Sequence, residues 1–188
     1  RAFEPGIYRT ERLGRAALST VTAISRYGFV QRNKLQLSAQ LWQARAMDFI
    51  SLQSRVVWGY VGNAVAIPTL QTLGINAWPV DTVLYPHHPG HGPTFRHAAA
   101  AADIGALLTA AMDCIDGPLS LLSGYLADSG QGQTALSVLE KARAGGRAIP
   151  FYLDPVFGDD AEGTYVAPSL VTFFRAAAIP AATLVMPN

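Results

Sequence analysis

From residue 47 onward, short apolar runs alternate with stretches of helical character. Asp48 to Gln53 is short and largely apolar, ends in Ser54, and predicts a strand. Gly62 to Leu73 predicts a helix stopped by Gly74, with Pro68 either kinking it or marking a later start. Asn76 to Leu84 predicts a second strand, and Tyr85 to Thr94, crowded with Pro, Gly and His, predicts a loop. Arg96 to Met112 is Ala-rich and predicts a helix; Leu119 to Ser123 predicts a buried strand ending at Gly124. Gln131 to Ala144 predicts an amphipathic helix stopped by Gly145-Gly146. Ala148 to Leu153 predicts a strand, Ser169 to Ala178 a helix, and Thr183 to Met186 a last strand.

Five apolar strands alternating with four helices predict an α/β fold with a mostly parallel sheet covered on both faces. Ligands in such sheets bind beyond the carboxyl ends of the strands. The chemistry is therefore expected at Ser54, in the Tyr85–Thr94 loop, at Gly124-Tyr125, at Asp154–Asp159 and at Asn188.

Composition narrows this picture. The chain has 188 residues, enough for one ordinary domain or a domain plus a tail. Hydrophobic residues at 50% and charged residues at 14% exclude a disordered, solvating chain. No apolar run reaches the length of a bilayer span; the most apolar stretch, Ala98 to Met112, is broken by Asp103, and no membrane partner is expected. The single cysteine, Cys114, excludes a disulfide framework and a Cys-based zinc site, and suits a reducing, cytoplasmic setting. Without Cys-His-Asn company it reads as a buried or semi-buried structural thiol.

The net charge of +1 hides a split. Residues 1–46 hold eight basic residues against Glu4 and Glu11, a balance of +6, whereas residues 47–188 carry −5. The basic segment fits a targeting peptide or a nucleic-acid or membrane arm. The preferred reading is sequence outside the working protein, because charge alone is weak evidence of a partner and Met47 stands where a start is expected; no nucleic-acid partner is expected. The expected organisation is thus a basic extension over 1–46, outside the fold, and a working domain over 47–188.

Three constellations carry candidate chemistry. Gly59–Asn63, GYVGN, follows the first strand and opens a helix, so it is either a close backbone approach to a ligand or a tight strand–helix turn. His87, His88 and His91 lack neighbouring carboxylates, which favours a ligand-covering loop over a metal site. Asp154 and Asp159, in DPVFGD, place two carboxylates just past a strand end, where magnesium and the phosphates it bridges would suit them; the alternative is an Asp-capped turn.

Taken together, SLQSRVVWGYVGNAVAIPTLQTLG (51–74), INAWPVDTVLYPHHPGHG (75–92), LSGYLADSGQGQ (122–133), DPVFGD (154–159) and YVAPSL…IPAATLVMPN (165–188) resemble pyridoxal kinases of the ribokinase-like superfamily, in the family's order and spacing. The resemblance runs from about Met47 to the last residue and looks closer to the bacterial pyridoxal-kinase branch than to sugar kinases. It implies a three-layer αβα, Rossmann-like architecture, incomplete at its C-terminal end. It also implies ATP-dependent phosphorylation of the 5′-hydroxymethyl of pyridoxal, and possible use of pyridoxine or pyridoxamine. ATP is the co-substrate, Mg²⁺ the cofactor and a homodimer the assembly of the intact family.

By position, Ser54 matches the serine that contacts the pyridoxal ring, and Val61 and Tyr85 match the apolar and aromatic positions beside it. His88 matches the histidine of a Ser-Asn-His-Thr loop that closes on substrate, with Pro89 and Gly90 in the same loop, and Tyr125 a tyrosine lining the cleft. Asp154, with Asp159 on the metal side, matches the Asp-Pro-Val-x-Gly-Asp motif at the ATP–metal site; Met186 and Asn188 sit where a Thr/Ala-Pro-Asn motif approaches ATP. The sequence departs at Pro86, His87 and Pro89, which replace Ser, Asn and Thr, at Leu84 for a common Gln, and at Arg55 where His is frequent. The family's next segment would hold a magnesium-ordering Glu and a Gly-x-Gly-Asp whose aspartate is the expected base. A truncated chain with little turnover is therefore expected, or, as the alternative, a non-catalytic remnant that binds the vitamin.

Overall fold

The computed structural model describes residues 47–160 and 163–187. The readings made for residues 1–46, and for Asn188, lie outside the described residues. Eight strands are described: β1 (Asp48–Trp58), β2 (Asn76–His87), β3 (His97–Ala98), β4 (Leu119–Ser123), β5 (Phe151–Leu153), β6 (Gly158–Asp159), β7 (Gly163–Thr164) and β8 (Leu184–Val185). The helices are α1 (Asn63–Thr72), α2 (Ala101–Asp113), α3 (Ser129–Ala144) and α4 (Pro168–Phe173). The last runs through a π-helical turn, Phe174–Ala178, into α5 (Ile179–Ala181).

Six strands form one sheet in the order β3-β2-β1-β4-β5-β8. All neighbouring pairs are parallel except β2 with β3. The chain steps outward from β1 to β2, then returns across β1 to reach β4. Parallel crossovers are right-handed, so this reversal puts α1 on one face and α2, α3 and α4 on the other. The main core fills the second face. Ile50 and Leu52 of β1, Leu121 of β4 and Leu153 of β5 meet Ile104, Leu108 and Met112 of α2, Leu139 of α3 and Leu170 of α4. The spacing of Ile104, Leu108 and Met112 is one helical stripe. Gly132 of α3 has no Cβ because the ring of Phe173 occupies that space. Arg143 of α3 and Arg147 just beyond it bind carbonyls at helix ends and in loops: Arg143 donates to Ile149 and Ala181, and Arg147 to Met112 and Ile115.

The α/β class and the five parallel strands agree with the sequence reading. Several boundaries do not. The loop expected from Tyr85 begins later, because β2 continues to His87 beside β1. The helix expected from Arg96 starts at Ala101; His97 and Ala98 instead pair antiparallel with Leu84 and Val83. The strand expected from Ala148 spans only Phe151–Leu153. The helix expected over Ser169–Ala178 is α-helical only to Phe173. Pro68 neither delays nor ends α1. The β6–β7 hairpin has two-residue strands, too short for a periodicity to register. Coverage of the sheet is uneven among the described residues: α1 buries only Asn63, and Trp78 remains 47% exposed on β2. Cys114 corrects the expectation of a buried or semi-buried thiol, since it is exposed just after the C-terminus of α2.

Candidate active site

The carboxyl ends of the parallel strands open onto a cavity of about 540 Å³, a size suited to a small molecule. Its shape begins with an irregularity in the sheet. Gln53 pairs with Asp81 but Arg55 pairs with Leu84, so β2 carries one extra residue at that step. A bulge of this kind bends a strand and re-aims its side chains. Thr82, fully buried in the bulge, is tied elsewhere: its hydroxyl donates to the Tyr125 carbonyl at 2.7 Å, and its carbonyl accepts from Ala99 N at 2.9 Å and Gln131 Nε2 at 2.9 Å. Gln131 also donates to the Ala99 carbonyl and accepts from Ala127 N, both at 2.8 Å. One buried amide thus fixes the segments that carry Tyr85 and Tyr125.

Across from the bulge, Ser54 is nearly buried at 8% exposure and borders the cavity with Val61 and Gly62. The GYVGN turn closes against Ser54. Gly62 has φ 55° and ψ −137°, and a Cβ there would run into the Ser54 carbonyl oxygen. Of the two readings of this stretch, the structure displays the tight strand–helix turn, its backbone packed on that of β1. Asn63 follows, donating to Asp81 Oδ1 at 2.7 Å, and Asp81 pairs with Arg55 at 2.9 Å. Arg55, a departure from the family pattern, is thereby engaged at the rim.

Tyr85 and Tyr125 stand edge to face, ring centroids 6.5 Å apart, with their hydroxyls 3.5 Å apart. Arg96 lies beside both hydroxyls and lines the same cavity. Burial pushes Tyr125 up to about 12, so it is a protonated donor at neutral pH. In the short 3₁₀ turn Pro89–His91, Nδ1 of His88 accepts from Gly90 N at 3.1 Å. That bond fixes the tautomer of a neutral His88, leaving its Nε2–H as donor. A Cβ on Gly90 would stand 3.0 Å from that ring, so the turn favours the smallest residue. His88, Pro89 and Gly90 all line the cavity, while His91 packs against Trp58 with ring centroids 5.2 Å apart.

Asp154 and Asp159 reach the cavity from beyond β5. Asp154 N donates to the Ser123 carbonyl at 2.9 Å, which fixes the carboxylate's backbone. Burial raises the Asp154 pKa. The sign of the consequence is direct. A carboxyl that holds its proton more tightly in the folded state favours the fold below the unfolded pKa, and that contribution is lost as pH rises through the folded pKa. Asp154→Asn is therefore expected to raise the melting temperature at pH 7. The gap from the parent should shrink as pH falls below the raised pKa. A variant no more stable than the parent at pH 7 would contradict this.

Nine of the sequence-predicted site residues thus line one cavity: Ser54, Val61, Tyr85, His88, Pro89, Gly90, Tyr125, Asp154 and Asp159. Met186 does not; it is 40% exposed, and its backbone N donates to the Leu153 carbonyl at 2.8 Å. Sequence reasoning missed Arg96, Gln53 and Tyr165 as lining residues. Arg96 had one signal, as the only Lys or Arg between Arg55 and Lys141. The helix expected to begin there concealed its role.

No family model matches the chain. A pyridoxal kinase PdxY of Rubrobacter xylanophilus is 35% identical over 148 residues, covering 78% of this chain and 51% of the relative. That of Granulibacter bethesdensis is 36% identical over 144 residues, 76% of this chain and 50% of the relative. Among solved structures, Plasmodium falciparum PdxK with AMP-PNP and PL superposes with TM-score 0.67 at 21% identity, covering 77% of this chain and 52% of that one. The Leishmania donovani pyridoxal kinase with ADP and pyridoxine gives 0.64 at 26% identity, covering 75% and 50%. The chain spans about half the length of the curated relatives it matches. Over that stretch it is related in sequence to the bacterial pyridoxal kinases and shares the α/β, ribokinase-like fold of the pyridoxal kinase structures.

Proposed function

We propose that this chain builds the vitamin-binding part of a pyridoxal kinase, an enzyme that transfers the ATP γ-phosphoryl to the 5′-hydroxymethyl of pyridoxal. The observation that carries the reading is the cavity at the strand ends, which gathers Ser54, Val61, Tyr85, His88 and Tyr125 from separate segments. The two tyrosine rings, set edge to face, and Val61 offer a partly apolar, aromatic wall suited to a pyridine ring. Ser54 and His88 supply polar groups to the lining, beside Pro89 and Gly90 of the same turn. Pyridoxine and pyridoxamine share that ring and fit the same wall.

Asp154 and Asp159 form the acidic side of the cavity. The donor set suits Mg²⁺, which takes one or two carboxylates and fills its remaining positions with phosphate oxygens and water. Burial disfavours the Asp154 carboxylate, a cost that a bound cation would relieve. Asp154, with Asp159, would hold that ion beside the phosphates of ATP; Met186 and Asn188 are assigned to the ATP side. When bound, Mg²⁺ neutralises charge on the transferring phosphoryl. The chain's own residues orient the ring and exclude water from one side of it. No Gly-x-Gly-Asp stands in the sequence, so the base that takes the hydroxyl proton is assigned to the part of the family these residues do not match. The domain is assigned to residues 47–188, in a homodimeric, cytoplasmic enzyme.

Separate titrations of pyridoxal and ATP into the 188-residue chain test the reading. The expected result is binding of pyridoxal with little or no formation of pyridoxal phosphate. Steady-state turnover above a no-enzyme control would overturn the placement of the base outside the chain. Failure to bind pyridoxal would overturn the assignment of the cavity.

A further inference from the structure

The cavity has opposite charges on its two sides. Tyr85 lies on β2, and Arg96 just precedes β3 at that edge of the sheet, whereas Asp154 follows β5. From β2 to β5 is three steps across the sheet, about 14 Å at the usual strand spacing. One side is therefore a cation beside two phenols, and the other a pair of carboxylates.

The hydrogen-bond inventory of the cationic side is one-sided. Arg96 lies beside both Tyr85 and Tyr125 in the cavity wall, and the Tyr85 hydroxyl is directed at that of Tyr125 at 3.5 Å. A phenol has one proton to give, and a guanidinium has five N–H groups and no acceptor. With Tyr85 directed at the Tyr125 oxygen, the Tyr125 proton and the guanidinium N–H groups of Arg96 are left as donors. Such a corner complements an acceptor that carries negative charge, because charge-assisted hydrogen bonds are the stronger ones.

We propose that Arg96, with the hydroxyls of Tyr85 and Tyr125, is a specificity-determining corner that takes an ionised ring oxygen, the deprotonated hydroxyl of a 3-hydroxypyridine. The inference rests on the reading of the cavity as a vitamin pocket and adds the edge of the ring that faces Arg96. Pyridoxal carries such an oxygen: its ring hydroxyl ionises readily beside a protonated ring nitrogen. With that oxygen on Arg96, the negative charge lies on the far side from Asp154 and Asp159, where like charge would oppose it. The apolar and aromatic lining selects a flat ring over a free inorganic anion.

The test is calorimetric titration of three probes into the 188-residue chain: pyridoxal, its analogue lacking the ring hydroxyl, and unsubstituted 3-hydroxypyridine. The parent is expected to bind pyridoxal about tenfold tighter than the deoxy analogue, the difference one charged hydrogen bond commonly makes. Arg96→Met should erase that preference by weakening pyridoxal alone, and Arg96→Lys should keep part of it. Arg96 is exposed, so its replacement spares the core; Tyr125→Phe, which keeps the ring and removes the proton, should weaken the same two hydroxylated probes. Equal weakening of pyridoxal and the deoxy analogue, or no weakening of either, overturns the corner and leaves the vitamin reading standing. Arg96-dependent binding of 3-hydroxypyridine without preference for pyridoxal keeps the corner and overturns the vitamin reading. Binding of no probe overturns both.

Discussion

Replacing Gln131 by alanine is expected to lower stability by about 3 kcal/mol, although no residue of the cavity wall is touched. The side chain is fully buried and joins three backbone groups: the carbonyls of Thr82 and Ala99 and the N–H of Ala127. The Thr82 carbonyl keeps Ala99 N as a partner, so truncation orphans two groups. Each buried polar group left without a partner costs about 1–3 kcal/mol. Gln131→Leu sharpens the prediction. Leucine fills the space with apolar atoms, so a simple count of hydrophobic burial would favour it over alanine. The account predicts the opposite order, because leucine also excludes the water that could reach the orphaned groups in the alanine variant. Urea midpoints for the three proteins decide the matter; a leucine variant as stable as the parent would contradict it. Loosening is expected first in the Thr82–Ala99 segment, seen as faster amide exchange at Ala99 and Ala127.

Gly62→Ala is expected to cost about 3 kcal/mol or more and to open the cavity beside Ser54. Two penalties combine there. The backbone at φ 55° and ψ −137° is one that side chains rarely adopt, and the new Cβ meets the carbonyl oxygen of Ser54. That oxygen belongs to the backbone of β1 and cannot swing aside. Gly74 separates the two contributions. It also has a positive φ, 76°, but nothing lies within 4 Å of its missing Cβ. Gly74→Ala should therefore cost only about 1 kcal/mol, the conformational share. Thermal melts of both variants test the pair, and equal losses would show that the approach of the turn to Ser54 carries no weight.

The sheet was legible in the sequence where burial is two-sided. LSLLS at Leu119–Ser123 has no polar alternation because β4 lies between two strands and is buried almost throughout, so its bounds were read correctly. Edges were less legible. His97-Ala98 carries no strand signature; it pairs with β2 because the chain must cross that edge to reach α2. The bulge at Thr82 was invisible, since one extra residue leaves no periodic trace in so short a run. The site shows the same division. The resemblance drew attention to Ser54, Tyr85, His88, Tyr125 and Asp154, which recur in recognisable strings. Arg96 and Gln131 act on partners distant in sequence, Arg96 beside Tyr85 and Tyr125 and Gln131 on Thr82 and Ala99, and local spacing reveals neither role.

The central claim is that the strand-end cavity receives pyridoxal. Amide chemical-shift mapping tests it most directly, with pyridoxal titrated into the uniformly labelled 188-residue chain. The account predicts shifts that saturate together and centre on Ser54, Tyr85, His88–Gly90, Tyr125 and Asp154. Shifts centred instead on the shallow groove between α2 and α3, at Gly105, Thr109 and Val138, or no saturable shifts at all, would contradict it.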